Sequence, residues 1–178
     1  MLCGGACGQV PRGVLTDVQN RQGGANVRVP PPLFFVAGVA AGWALQNYGA
    51  ALPLARSAQT VLFVAAVTGV AGLALILAAL GLFRKTGQEP EPWKPSPELI
   101  GRGPYRFTRN PMYIGMFLLQ CAVGFGVNNA WIVLFAPLAL LGVHFTAVLP
   151  EERYLANKFG AGYLKYVART ARYLGWPK

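Results

Sequence analysis

Long apolar stretches alternate with short polar ones along most of this chain. Four stretches contain no Asp, Glu, Lys or Arg, and they cover residues 33–52, 57–83, 111–127 and 130–149. About 20 mostly apolar residues are needed for a helix to cross the hydrocarbon core of a bilayer. The pattern therefore predicts an all-α integral membrane protein with four transmembrane helices. The connections are too short to bury a soluble core of their own.

The two ends of the chain differ from this pattern. Residues 1–30 are rich in Gly, Val, Gln and Asn and lack the apolar core of a signal peptide, so they are predicted to be a disordered tail before a membrane domain at 31–178. Pro150 is expected to break the last span. After it, apolar and aromatic side chains recur every three or four residues, which predicts an amphipathic cytoplasmic helical segment over residues 151–172, interrupted near Gly160.

Composition agrees with a membrane protein. Hydrophobic residues make up 54% of the chain and charged residues 12%, against about 25% charged in soluble domains. The net charge of +10 lies mainly in segment 84–110 and after residue 150, whereas the loop near Arg56 and the turn at 128–129 carry almost none. The positive-inside rule places both termini and segment 84–110 in the cytoplasm. Membrane lipids are the expected partners of these basic residues, and nucleic acid is not.

The three cysteines and the single histidine predict no metal site. Cys3, Cys7 and Cys121 have neither the number nor the spacing of a disulfide framework or a zinc site. His144 lies within the fourth apolar stretch, where a hydrogen bond to another span is the expected role.

The polar stretch GRGPYRFTRNPMYIG, residues 101–115, leads directly into the third span. Because Asn128 and Asn129 alone join the third and fourth spans, this stretch and Glu151–Glu152 should lie on the same membrane face. Carboxylates near lipid are costly and indicate function. Arginines and helix N–H groups suit an anionic group, and carboxylates with aromatic rings suit a cation and a flat heterocycle. S-adenosylmethionine fits this chemistry, and a nucleotide or a zwitterionic headgroup fits nearly as well.

Two motifs carry a family resemblance. GPYRFTRNPMYIG at 103–115 and EERYLANKFGAGYLKYVARTARYL at 151–174 together resemble the isoprenylcysteine carboxyl methyltransferase and phospholipid methyltransferase family of membrane enzymes, over about residues 70–175. The resemblance implies an S-adenosylmethionine-dependent methyltransferase without a Rossmann domain. It also implies a set of cofactor-binding residues: Gly103, Tyr105, Arg109, Asn110, Pro111, Tyr113, Glu151, Glu152, Tyr163 and Tyr166.

One position departs from the family pattern. Well-known members have His where this chain has Asn110, and an amide donates a hydrogen bond but does not titrate. A proton-transfer role at this position is therefore excluded.

The methyl acceptor is expected to be lipophilic, and its reacting group stays open. A carboxylate like that of isoprenylcysteine is favoured, oriented by Arg169 or Arg106, with Arg169 nearer the acceptor by the resemblance. A lipid amine would need Glu151 or Glu152 to remove a proton, and a small thiol would react as the thiolate. The candidate catalytic residues are thus Arg169, Glu152 and Arg106. Two other classes remain: an NADPH-dependent sterol-type reductase, and a non-catalytic membrane protein that binds lipid or a partner.

Overall fold

The computed structural model describes residues 24–55, 57–87 and 89–175, and within them the regular secondary structure is helical. A short 3₁₀ helix spans Gly103–Arg106, and a π-helical turn spans His144–Val148. The α-helices, numbered in chain order, are α1 (Pro32–Tyr48), α2 (Ala58–Lys85), α3 (Pro111–Gly126), α4 (Ala130–Val143), α5 (Leu149–Phe159) and α6 (Ala161–Arg169).

Two helices are long and apolar enough to cross a membrane. They are α2 and the continuous helix Ala130–Phe159, made of α4, the π turn and α5. Only 11% and 33% of their apolar windows are buried, so neither is the core helix of a soluble protein. Large side chains such as Phe63 and Val70 are 70% exposed. Exposed apolar surface of this extent is typical of helices that face lipid. The count of four spans and the cytoplasmic side of the termini stay predictions.

The helices pack in pairs, α2 against α3, α1 against α4, and α3 against α4. Gly72 of α2 and Gly115 of α3 form the closest approach. A Cβ at Gly72 would lie 2.8 Å from the Gly115 carbonyl oxygen and 3.0 Å from Leu118 Cβ. Small residues allow this backbone contact, which is a main source of helix association in lipid.

Gly72→Ala is expected to destabilise the protein by about 1–3 kcal/mol, because neither the carbonyl nor the Leu118 Cβ can swing away from the added methyl group. Gly81→Ala on the same helix is the matched control, since a Cβ there meets nothing within 4 Å. The control should change stability by less than about 1 kcal/mol. Thermal unfolding of both variants in detergent measures the difference, and equal melting temperatures would contradict the packing.

Asn128 and Asn129 form the tight hairpin between α3 and α4, as the sequence predicts. The Asn129 side chain accepts hydrogen bonds from the N–H groups of Trp131 and Ile132, and so caps α4. Asn128 Oδ1 accepts from the backbone N–H groups of Leu54 and Ala55. The two inter-helix connections therefore meet at one end of the bundle. The beginning of α3 and the end of α4 lie together at the other end.

The expected helix break at Pro150 is wrong. The chain stays helical through this residue, because the π turn immediately before it takes up the irregularity: the Leu149 N–H donates to the carbonyl of His144, five residues back. A wider turn of this kind accommodates the missing N–H and the ring of a proline. The interruption comes instead at Gly160, whose φ of +50° ends α5.

Residues 24–27, which the sequence assigns to a disordered tail, pack against the rest of the protein. Ala25 and Val27 belong to the core, and the N–H groups of Gly24 and Ala25 donate to the carbonyls of Trp93 and Pro92 at 3.1 and 2.7 Å. This segment packs because segment 89–100 supplies backbone acceptors, a partner that local composition does not reveal. Residues 1–23, with Cys3 and Cys7, lie outside the described residues.

Candidate functional site

The loop before α3 and the C-terminal segment, residues 170–175, lie side by side at one end of the bundle. The Arg109 N–H donates to the Ala171 carbonyl at 2.9 Å, and Thr108 forms an isolated parallel bridge with Ala171. The Thr108 hydroxyl also donates to the carbonyl of Arg172 at 3.1 Å. The chain after α6 is therefore held against the start of α3.

Asn110 takes part in this pairing. Its amide Nδ2 donates to the Arg172 carbonyl at 3.0 Å, and its backbone N–H donates to the Thr108 hydroxyl at 3.2 Å. The residue is 7% exposed. The amide thus positions the C-terminal segment, a task that needs a fixed donor and no titration.

Glu152 is the centre of the charged network. Arg172 donates to both of its carboxylate oxygens at 2.8 Å, a bidentate pair. Arg109 approaches the same carboxylate at 3.3 Å, and its Nη1 donates to the Tyr163 hydroxyl at 3.5 Å. The Arg109 side chain is 10% exposed, and its Nε is buried with no hydrogen-bond partner in the described structure. A buried guanidinium N–H without an acceptor is costly, and it suits an oxygen atom of a ligand.

Glu151 lies beyond the last predicted span and accepts a hydrogen bond from the Tyr113 hydroxyl at 3.2 Å. Burial of its carboxyl group raises the pKa of Glu151 from 4.5 to about 7; the Tyr113 hydrogen bond lowers the pKa and the nearby Glu152 charge raises it. A carboxyl group with this pKa exchanges a proton readily near neutral pH.

Glu151→Gln is expected to make stability less dependent on pH. The folded state favours protonated Glu151, so its contribution is fully present below about pH 4.5 and is lost as the pH rises through about 7. The wild type should lose at most about 3 kcal/mol over this range, and the amide variant should keep it. Thermal unfolding at about pH 5 and about pH 8 measures this. Glu89→Gln, at an exposed carboxylate, is the control. Parallel pH profiles for wild type and Glu151→Gln would contradict the assignment.

Three tyrosines line the site beside these charges. The Tyr166 hydroxyl donates to the Tyr105 carbonyl at 2.7 Å, and the Tyr105 ring meets the Phe83 ring edge to face. Burial raises the pKa of Tyr105, Tyr163 and Tyr166, so all three stay protonated and act as hydrogen-bond donors and flat apolar surfaces.

Two adjoining clefts open at this end of the bundle. The first, the polar cleft, has a volume of about 60 Å³ and is bounded by Arg109, Glu152 and Tyr163. The second, the proline cleft, has a volume of about 160 Å³ and lies against Pro31, Pro92 and Trp93. Both are lined by the same five residues, which separate them: Phe83, Tyr105, Arg109, Asn110 and Glu151.

The structure brings most of the predicted cofactor residues together. The residues on the polar cleft are Tyr105, Arg109, Asn110, Glu151, Glu152, Tyr163 and Tyr166, and Tyr113 lines the proline cleft. Gly103 and Pro111 line neither cleft. Gly103 has a φ of +60°, and a Cβ there would lie 2.9 Å from Leu82 Cδ1, so it shapes the loop. Pro111 is fully buried in the first turn of α3.

The arginines expected to orient an acceptor are elsewhere. Arg106 and Arg169 are exposed and line neither cleft. Arg172 is one of the basic residues after residue 150 for which membrane lipid is the expected partner, and it pairs instead with Glu152. The local sequence carries no signal for this pairing, because it depends on the direction in which the chain leaves the helix at Thr170, which is extended. His144 also differs from expectation: its Nδ1 lies 2.7 Å from the Tyr173 hydroxyl, in the C-terminal segment rather than in another span.

A comparison with known protein families shows which family this chain belongs to. The family model of phospholipid methyltransferases matches residues 61–162, more than half of the chain. The chain belongs to the phospholipid methyltransferase family. Membership supports a membrane methyltransferase, and methyltransferases of this family generally use S-adenosylmethionine. No curated protein and no solved structure gives a significant match. The family match includes Arg109 and both glutamates and ends before Tyr163, so the segment with Arg172 lies outside it.

Proposed function

We propose that this protein transfers a methyl group from S-adenosylmethionine to the amine of a lipid headgroup at the membrane surface. The observation that carries the proposal is the position of Glu151. Its carboxyl group lies on the wall shared by the polar cleft and the proline cleft, and its pKa is about 7. The polar cleft suits the methyl donor, and the proline cleft, which reaches toward the apolar helices, suits the acceptor.

The side chains of the polar cleft fit the cofactor's chemistry. The unpartnered Arg109 Nε suits the carboxylate of S-adenosylmethionine, and the Glu152 carboxylate suits its ammonium group. The rings of Tyr105, Tyr163 and Tyr166 suit the adenine and the sulfonium. The cleft is smaller than the ~300–1,000 Å³ of ordinary ligand pockets. Binding therefore requires the cleft to widen, and Glu152 must give up its ion pair with Arg172 to bind the ammonium group.

When bound, S-adenosylmethionine would supply a methyl group on a positively charged sulfur. A nucleophile takes this methyl group, and the sulfur leaves as a neutral thioether. The protein's own contribution is to align the acceptor and exclude water. A lipid ammonium must first lose a proton to free its lone pair. Ionised Glu151 accepts that proton, and the Tyr113 hydroxyl holds the carboxylate in place at 3.2 Å. A pKa of about 7 suits a general base at neutral pH.

A carboxylate acceptor is the second candidate. Arg109 lines the proline cleft as well as the polar cleft, so it could orient a carboxylate like that of isoprenylcysteine. Arg106 and Arg169 line neither cleft, which makes this acceptor less favoured than the sequence suggested. Such a reaction would need no general base, since a carboxylate is already ionised.

One assay separates the acceptors. Detergent-purified protein is incubated with a donor carrying a radiolabelled methyl group, and with either phosphatidylethanolamine vesicles or N-acetyl-farnesylcysteine. The proposal expects label in the lipid fraction that alkaline treatment does not release as methanol, because N-methyl groups are stable to base. Label that base releases as methanol would instead establish a methyl ester.

Calorimetry tests whether the protein is a methyltransferase, a reductase or a lipid-binding protein. Binding of S-adenosylmethionine and none of NADPH is expected. Binding of NADPH alone would favour a reductase, and binding of neither would leave a lipid-binding protein. Either of the last two results would overturn the proposal.

A further inference from the structure

An open apolar groove runs between α1 and α3, among residues of the predicted spans. It has a volume of about 660 Å³, and its walls include Val36, Val39 and Trp43 of α1 and Leu119 of α3. Pro32 and Met116 line both this groove and the proline cleft. The groove therefore adjoins the candidate site, and it lies among residues that the sequence assigns to membrane spans.

One polar side chain in this groove has an oxygen atom without a hydrogen-bond partner in the described structure. Gln120 is 3% exposed, and its Nε2 donates to the Ile132 carbonyl at 3.0 Å. Its Oε1 is buried with no hydrogen-bond partner in the described structure. The side chain fits because Gly38 faces it: a Cβ at Gly38 would lie 2.5 Å from Nε2. An unsatisfied acceptor in an apolar membrane environment, where water is absent, is costly.

We propose that the groove binds the hydrocarbon chain of a membrane lipid, and that a hydroxyl group on this chain donates to Gln120 Oε1. The apolar walls suit the chain, and the free acceptor selects the hydroxyl. Gln120 follows Tyr113 by seven residues on α3, so the hydroxyl lies about 10 Å along the helix from the group that holds Glu151. One further assignment rests on the proposed function: the lipid is the methyl acceptor, and its headgroup lies in the proline cleft.

Binding of two probe lipids tests the groove without any methyl transfer. Stearate and a hydroxystearate with its hydroxyl near mid-chain are titrated into the purified protein, and the fluorescence of Trp43, which lines the groove, reports binding. The wild type should bind the hydroxylated chain roughly fivefold to tenfold more tightly, as one net hydrogen bond would give. Trp43→Phe should weaken the signal, because the remaining change would come from Trp93 of the proline cleft.

Two variants of neighbouring residues sharpen the comparison. Gln120→Met keeps the length of the side chain and removes the amide oxygen, so the hydroxyl preference should disappear. Leu119→Met changes the same wall without touching the amide, so the preference should remain. Equal binding of the two probes to wild-type protein would overturn the proposal, and so would a preference that persists in Gln120→Met. If Gln120→Met does not fold, the comparison of the two probes on wild-type protein decides whether the proposal stands.

The acceptor assay keeps the two proposals distinguishable. Faster methylation of a lipid amine with a hydroxylated chain than of its plain counterpart would support both. A hydroxyl preference in binding, with no methyl transfer to any probe, would overturn the proposed function and leave the lipid site supported.

Discussion

Arg109→Ala is expected to abolish measurable binding of S-adenosylmethionine, a loss of at least about a hundredfold. Arg109 is nearly buried, contacts Glu152 and Tyr163, and carries an Nε with no partner in the described structure. Removing the guanidinium takes away the donor proposed for the cofactor's carboxylate. It also leaves the carboxylate of Glu152 with one arginine instead of two. Losses of about 2–5 kcal/mol are typical when one member of such a buried pair is truncated.

Calorimetry on the purified variant measures this effect. Arg106→Ala is the matched control, because Arg106 lies three residues away, is exposed and lines neither cleft. The control should bind the cofactor like the wild type. Arg109→Lys should bind weakly, since it keeps the charge and loses the planar fork of donors. Normal binding by Arg109→Ala, in a variant that still unfolds cooperatively, would show that the cofactor site is elsewhere.

Glu152→Gln is expected to abolish cofactor binding and also to destabilise the protein. The change removes the negative charge that Arg109 and Arg172 share, and it leaves two cations close together. It also removes the group proposed to bind the ammonium of S-adenosylmethionine. We expect a loss of stability of about 1–3 kcal/mol, the usual cost of leaving a partly buried charged donor unpaired.

Calorimetry and thermal unfolding measure the two effects separately. Glu89→Gln is the control for both, because Glu89 is exposed and lies outside both clefts. A double variant with Arg109→Gln should show non-additive loss, since both residues belong to one network. Additive losses, or unchanged binding in Glu152→Gln, would contradict the proposed network.

The helices could be predicted from the sequence because hydropathy is a local property. Each uncharged stretch corresponds to a helix. The first three helices begin within one residue of the start of their stretches, the fourth stretch is α4 with the π turn, and α1 ends at Tyr48, four residues before its stretch does. The prediction failed at Pro150 and at residues 24–27. In both places a neighbour that the local pattern does not show, the π turn or segment 89–100, supplies the missing partner.

The candidate site could be predicted in part. The Asn128–Asn129 hairpin implied that the start of α3 and Glu151–Glu152 lie together, and the structure brings Arg109 to within 3.3 Å of Glu152. The pairing of Arg172 with Glu152 could not be predicted. It depends on the direction the chain takes after Thr170, which is set by hydrogen bonds from Thr108 and Asn110 more than 60 residues earlier.

The sequence by itself determined the membrane class, the helical stretches and the family, because composition, apolar length and two motifs are read along the chain. The tertiary structure alone decided which charges meet, which carboxyl group acquires a pKa of about 7, and that the Gln120 Oε1 has no partner among the described residues. These properties depend on burial and on atoms from distant segments. A sequence names the ionisable and polar groups, and the packing of helices decides what surrounds each of them.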